Sequence, residues 1–301
     1  MKTIALVCML FTTSLFAQSI TSPAPTFQDV AYGSHERHVL DFWQAESPAK
    51  TPLVVFIHGG GFVAGGKDKL RPQDVSRYLD AGISVASINY RYASTDPFPA
   101  CFYDARRALQ FLRFKSREWN IDTSRIGAWG GSAGAMMSMW LAFHDDMATT
   151  DSSDPVERES TRLACIATMG GQITFDRHWM EQSIPGNMIH NNPAFTRLFN
   201  VPSLADLDQP ATRKLVRELS PIFHLTKDDP PIYMGYGMAP NAPVPTDSKQ
   251  LKPWALHHVI FGVTLKTRMD ALGIPAHLQY PGRQIPLQSI PDFFLKQLTI
   301  K

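Results

Sequence analysis

Charge of one sign is what this chain most plainly lacks: 29 Lys and Arg against 27 Asp and Glu leave a formal net charge of +2 at pH 7. The basic residues are dispersed and no basic run is interleaved with aromatics. The electrostatic footprint of a nucleic-acid binder is therefore absent, and nothing favours a polyanionic partner. Cysteine is scarce too, with Cys8, Cys101 and Cys165 the three present. Spacing alone does not pair Cys101 with Cys165, and two buried free thiols are the expectation. Long hydrophobic runs are missing except from Ile4 to Phe16, where Lys2 precedes a stretch too short for a comfortable bilayer span and Ala17 and Ser19 follow it. Residues 1–19 thus read as a signal peptide, which makes the mature chain secreted or periplasmic, with no stable membrane insertion. Internal repeats, low-complexity blocks and long linkers are also lacking, so residues 20–301 read as one domain carrying an insertion.

What is present is enough apolar residue, 44% of 301, to bury a sizeable core. Residues 26–43 alternate like two strands joined at Gly33-Ser34, and residues 52–58 (PLVVFIH) and 83–90 (ISVASINY) are apolar runs suited to buried strands. Helical spacing lies between them up to Gly82, and again, more strongly, over residues 104–119. A strand (SRIGAWG), a helix over 134–144 and a strand over 163–170 follow. From 172 to about 220 the pattern dissolves into aromatics, Met, Asn and Pro, which suits a cap over the carboxyl ends of the strands. Residues 230–237 resume the sheet, 257–273 read as a helix, 275–282 as the last strand and IPDFFLKQL as a closing helix. Strands alternating with helices imply an α/β fold: a doubly wound, mostly parallel sheet with an inserted helical cap.

Two turns carry the chemistry. Gly130-Gly131-Ser132-Ala133-Gly134 sets a serine between a strand and a helix, on a strained turn that only small residues flank and that exposes its hydroxyl at the sheet edge. His58-Gly59-Gly60-Gly61-Phe62 follows the strand over 52–58, and its glycines let backbone N–H groups approach a developing oxyanion. Gly60, Gly61 and the amide of Ala133 are the oxyanion-hole candidates. His58 is expected to brace that loop.

With these residues the chain resembles the α/β-hydrolase superfamily, and within it the HGGG-bearing esterases, hormone-sensitive-lipase-like and acyl-carbohydrate-type. HGGGF, INYRY, FYDARRALQFLR, IDTSRIGAWGGSAG and DDPPIYMGYG all look like family segments in family order, over roughly residues 27 to 298. The resemblance implies carboxylic ester hydrolysis through an acyl-enzyme on Ser132, without metal or organic cofactor. The substrate expected is a small-molecule or carbohydrate ester with a short or medium acyl group.

A serine hydroxyl needs a base to take its proton and usually a carboxylate to orient that base. In such esterases the histidine follows the last strand, where this chain has Pro281-Gly282-Arg283-Gln284-Ile285, with Ile285 at the histidine's place. The acid is expected in the loop after the seventh strand, where Pro240 or Asn241 stands instead. That loop looks lengthened and delivers His257 and His258 to what reads as the start of the next helix, near the usual acid site. Relocation is acceptable because a triad is defined by geometry and role rather than chain order. His258 is the favoured base of the two, with Asp247 or an acid from the cap as orienter. His178 and His190 in the cap, His277 in the last strand, Asp104, Asp145 and Asp146 are expected to be structural. The alternative is a hydrolase-fold binding protein that kept the pocket and lost the base.

Overall fold

The computed structural model describes residues 23–186, 192–287 and 289–299, so the signal-peptide reading of 1–19, Cys8 and His190 lie outside the described residues. Eight strands form one sheet: β1 (Phe27–Ala31), β2 (Val39–Trp43), β3 (Thr51–Ile57), β4 (Ser84–Ile88), β5 (Ile121–Gly131), β6 (Cys165–Met169), β7 (Ile232–Gly235) and β8 (Ala276–Gln279), in the order β1-β2-β4-β3-β5-β6-β7-β8. The two pairings made by β2 are antiparallel and all the rest are parallel. The central strands β3 and β4 are buried along their whole length, which is why their sequences are continuous apolar runs rather than alternating ones.

Helices cover both faces. On one, α1 (Pro72–Asp80) and α9 (Ile290–Thr299) pack over Val54, Phe56, Trp129 and Tyr233. On the other lie α2 (Ala100–Phe114), α3 (Ala133–Phe143) and α8 (Ile260–Ala271). All eleven residues of α3 are buried, so it carries no polar face and runs between the sheet and the layer above it. That layer holds α4 (Arg177–Ser183), α5 (Ala194–Leu198), a short 3-10 turn at Leu204–Asp208 and α6 (Pro210–Glu218). Phe62, Phe98, Phe175 and Phe199 interlock beneath it with ring centroids 4.9 to 5.8 Å apart.

Two elements differ from the sequence reading. Helix α2 begins at Ala100 rather than 104 and ends at Phe114; beyond it, residues 115–120 close as turns through Ser116 N–H to Arg113 and Trp119 N–H to Lys115. The span 257–273 is not one helix. The preceding loop folds its own helix, α7 (Ser248–Leu256), and His257 and His258 form the corner between α7 and α8. Cys101 and Cys165 are buried free thiols, on opposite faces of the sheet. No helix among the described residues is long and apolar enough to cross a membrane.

Candidate active site

Ser132 stands where β5 hands the chain to α3, with φ 53° and ψ −116°, a conformation that L-residues avoid and that costs on the order of 1–3 kcal/mol. Its N–H is held by the Met169 carbonyl at 2.9 Å, so the end of β6 fixes the turn. The flanking glycines are required by proximity. A Cβ on Gly134 would lie 1.9 Å from the Ile57 carbonyl oxygen, and one on Gly130 2.3 Å from the same atom. The serine turn is thus pressed onto the end of β3, beside the glycine loop that follows it.

In that loop Gly60 and Gly61 both have positive φ, and the Gly60 carbonyl accepts the N–H groups of Val63 and Ala64 at 3.1 Å each, closing a tight turn. The Gly60 and Gly61 N–H groups donate to no other backbone group among the described residues, and Ala133 opens α3, where an N–H has no intrahelical partner. Three donors are therefore left free beside Ser132. His58 is fully buried, stacked on Tyr90 at 4.1 Å, with Nδ1 2.7 Å from the Gly59 carbonyl oxygen, while the Tyr90 hydroxyl donates to the His58 carbonyl at 2.8 Å. Burial lowers its pKa to about 4, which keeps the ring neutral as a wall of the loop.

The half-buried ring of His257 is brought to the serine: its Nε2 lies 3.0 Å from Ser132 Oγ, and its Nδ1 lies 3.0 Å from the Pro253 carbonyl oxygen. A carbonyl only accepts, so Nδ1 carries the proton and Nε2 presents its lone pair to the serine hydroxyl. Burial lowers the His257 pKa, opposed by the Pro253 hydrogen bond, so the ring is neutral at neutral pH. Behind it sits Gly170, at φ +58°, where a Cβ would come within 3.1 Å of the imidazole Cδ2. The sequence drew attention to neither Gly170 nor the Pro253 carbonyl; every residue carries a carbonyl, so no side-chain pattern marks one.

The expectation for His258 is corrected. Its Nδ1 accepts the Ile260 N–H at 3.1 Å, its ring packs edge-on to Trp254 at 4.6 Å, and it is 3% exposed. It stabilises the α7–α8 corner, and adjacent residues at a corner face different ways. Asp247 is corrected too: it is the exposed N-cap of α7, accepting the Lys249 N–H at 2.9 Å. His257 is the C-cap of that nine-residue helix, ten residues on, about 15 Å away at 1.5 Å per residue. No carboxylate pairs with His257 among the described residues.

The other candidates fall outside the site. Ile285 packs against the core behind the sheet, Pro240 and Asn241 are exposed in a turn, and His277 lies beside Phe293 of α9. His178 bonds Asp208 on the cap surface at 2.9 Å. Asp104 clamps Arg91 and His38, and Asp146 accepts the N–H groups of Ala148 and Thr161.

Two cavities share Ser132. One, of about 230 Å³, is bounded by Gly61, Ala133, Phe175, Met180, Phe195 and Leu256 under the cap. The other, of about 640 Å³, opens toward α1 and α9 and is bounded by Phe56, Trp129 and Tyr233 with Lys69, Arg71 and Ser289.

The BD-FAE family model matches residues 40–255, well over half the chain. The probable carboxylic ester hydrolase LipM of Mycobacterium tuberculosis is 26% identical over 220 residues, covering 69% of this chain and 47% of LipM. Esterase LipQ of the same organism is 26% identical over 266 residues, covering 81% of this chain and 59% of LipQ. The chain thus spans only about half the length of these curated relatives. Among solved structures, a truncated carbohydrate esterase from gut microbiota superimposes with a TM-score of 0.68 at 22% identity, over 91% of this chain and 96% of that one. A thermophilic esterase of Thermogutta terrifontis with butyrate bound gives 0.57 at 19% identity, over 87% and 84%. These likenesses establish the α/β-hydrolase fold, and the chain belongs to the BD-FAE family.

Proposed function

We propose that this member of the BD-FAE family hydrolyses carboxylic esters through an acyl-enzyme on Ser132, with His257 as general base and acid. The observation that carries the reading is the 3.0 Å approach of His257 Nε2 to Ser132 Oγ. Ser132 Oγ attacks the ester carbonyl carbon while its proton passes to Nε2, and the carbonyl oxygen becomes an oxyanion facing the N–H groups of Gly60, Gly61 and Ala133. Collapse breaks the bond to the alcohol oxygen, which leaves with the proton held by Nε2. Water then repeats the sequence on the acyl-enzyme and releases the acid. The Pro253 carbonyl takes the orienting place of the usual carboxylate: it fixes the tautomer but stabilises the imidazolium with a dipole instead of a full charge.

The 230 Å³ apolar cavity suits a short or medium acyl group, and the 640 Å³ cleft with its aromatic and polar rim suits a larger alcohol, of which an acetylated carbohydrate is the proposed example. We place the mature protein outside the cytoplasm, on the pattern of residues 1–19. The test of the mechanism is labelling by a fluorophosphonate probe and turnover of p-nitrophenyl acetate near neutral pH. Both should be present in the wild type and vanish in Ser132→Ala; absence of both from the wild type sinks the proposal. One observation favours a second reading, a binding protein of the same fold: no carboxylate among the described residues pairs with His257. Inert wild-type protein that still binds ester-bearing sugars would establish it.

A further inference from the structure

Away from Ser132, three chain ends meet at the outer side of α3. His144 follows the last residue of α3, Glu218 ends α6, and His224 follows the short 3-10 turn at Pro221–Phe223. One ring nitrogen of each histidine and a Glu218 carboxylate oxygen all lie within 4.8 Å of one another, and all three residues are partly accessible to solution. His144 Nε2 is 3.2 Å from Glu218 Oε1, and the two imidazole centroids are 4.5 Å apart.

The surroundings hold the rings in place. His144 Nδ1 lies 3.1 Å from the Asp145 carbonyl oxygen and His224 Nε2 lies 2.6 Å from the Glu218 carbonyl oxygen. Each carbonyl takes the N–H of its ring, so each neutral imidazole keeps one lone pair, and that of His144 faces a carboxylate oxygen. Trp140 fixes the same corner, donating its indole N–H to the Glu218 carbonyl at 3.0 Å and lying edge-on to His144 at 5.3 Å. Backbone carbonyls that orient imidazoles are the usual outer shell of a metal site, and two imidazoles with one carboxylate are a zinc donor set. The His144 lone pair and the Glu218 carboxylate oxygen face one another at 3.2 Å and need a cation between them. A proton shared by His144 and Glu218 meets that need for two groups and leaves no task for the third.

We propose that His144, Glu218 and His224 form a divalent transition-metal site, with zinc as the fitting ion, that ties the end of α6 to the end of α3. Bond lengths of 2.0–2.2 Å put tetrahedral ligand atoms ~3.3 Å apart. The His144–Glu218 pair already has that spacing at 3.2 Å, and a His224 ring nitrogen lies within 4.8 Å of both. Water fills the fourth position, and a bound ion crosslinks the last helix of the layer above α3 to α3 itself. The site is remote from the ester chemistry and stands whether or not the chain is an esterase.

The experiment is calorimetric titration of Zn²⁺ into chelator-treated, tag-free protein at pH 7.5, with thermal unfolding followed alongside. His257→Ala serves as the background, so that metal captured beside Ser132 does not contribute. One equivalent should bind and raise the Tm. His144→Ala and His224→Asn should each weaken binding by at least the 10–100-fold typical for loss of an outer-shell partner, and remove the Tm rise. Circular dichroism of each metal-free variant shows whether it is folded, and Glu218→Gln supplies a third, near-isosteric variant. No stoichiometric binding by the folded parent, or binding that survives in folded His144→Ala and Glu218→Gln, overturns the proposal.

Discussion

The two halves of the site are built differently. On the serine side, Ser132, Gly60, Gly61 and Ala133 lie at the packed ends of β3 and β5, where close approach dictates glycine at 130 and 134 and positive φ favours it at 60 and 61. On the base side, His257 hangs from the α7–α8 corner, and its orientation comes from a main-chain carbonyl and a neighbouring glycine. A nucleophile turn is constrained by the sheet beneath it. A base needs only to arrive within 3 Å or so of the hydroxyl with the right tautomer, and many chain routes achieve that.

That difference determined what was legible. Gly134 cannot carry a Cβ against the Ile57 carbonyl, so the serine turn announces itself in sequence, as does the glycine loop with its positive φ values. The alternation of strands and helices showed the doubly wound sheet because β3 and β4 are buried end to end. The base was only narrowed to a pair. Choosing between His257 and His258 required knowing that α7 exists, for with a helix ending at Leu256 the first histidine turns toward Ser132 and the second packs on Trp254. Reading 257–273 as one helix hides this: α7 contains Pro253, which weakens its helical pattern, and its N-cap, Asp247, offers in sequence the same carboxylate that an orienting acid would.

The sharpest way to break the contrast is to disturb the base side without touching a reacting group. Gly170→Ala adds a methyl 3.1 Å from the His257 ring at a φ of +58°. The imidazole must give way by a few tenths of an ångström, less than the 1 Å that costs about 100-fold, so kcat should fall roughly 10-fold, with a smaller effect on KM. Full activity in steady-state kinetics would mean that the base side tolerates movement.

Acid separates the two histidines next. His58 in the glycine loop has a folded pKa of about 4, against an unfolded value near 6.5. The folded state binds fewer protons between those values, so stability is full above about pH 6.5 and falls as pH drops toward 4, by up to about 3 kcal/mol. Urea unfolding at pH 7 and pH 4.5 should show this fall, and His58→Gln should flatten it. His257 is lowered as well, and only its neutral form accepts the serine proton. The acid limb of kcat/KM should therefore lie below the ordinary histidine range, and a limb above pH 6.5 would speak for a carboxylate partner.

The smallest effect is expected at Asp247. As an N-cap its replacement by Ala should cost about 1 kcal/mol of stability and leave kcat/KM within a few-fold. An orienting acid would instead cost roughly 10⁴ in kcat, so kinetics on this one variant separates the two roles.

The central claim is that His257, and not its neighbour, activates Ser132. The direct measurement is kcat/KM for p-nitrophenyl acetate in His257→Ala and His258→Ala, with melting temperatures taken in parallel. His257→Ala should lose a factor of about 10⁴ or more at an unchanged Tm, while His258→Ala should keep most of its activity and melt earlier because the packing on Trp254 is gone. Activity that survives in His257→Ala, or that is lost in a well-folded His258→Ala, would contradict the account.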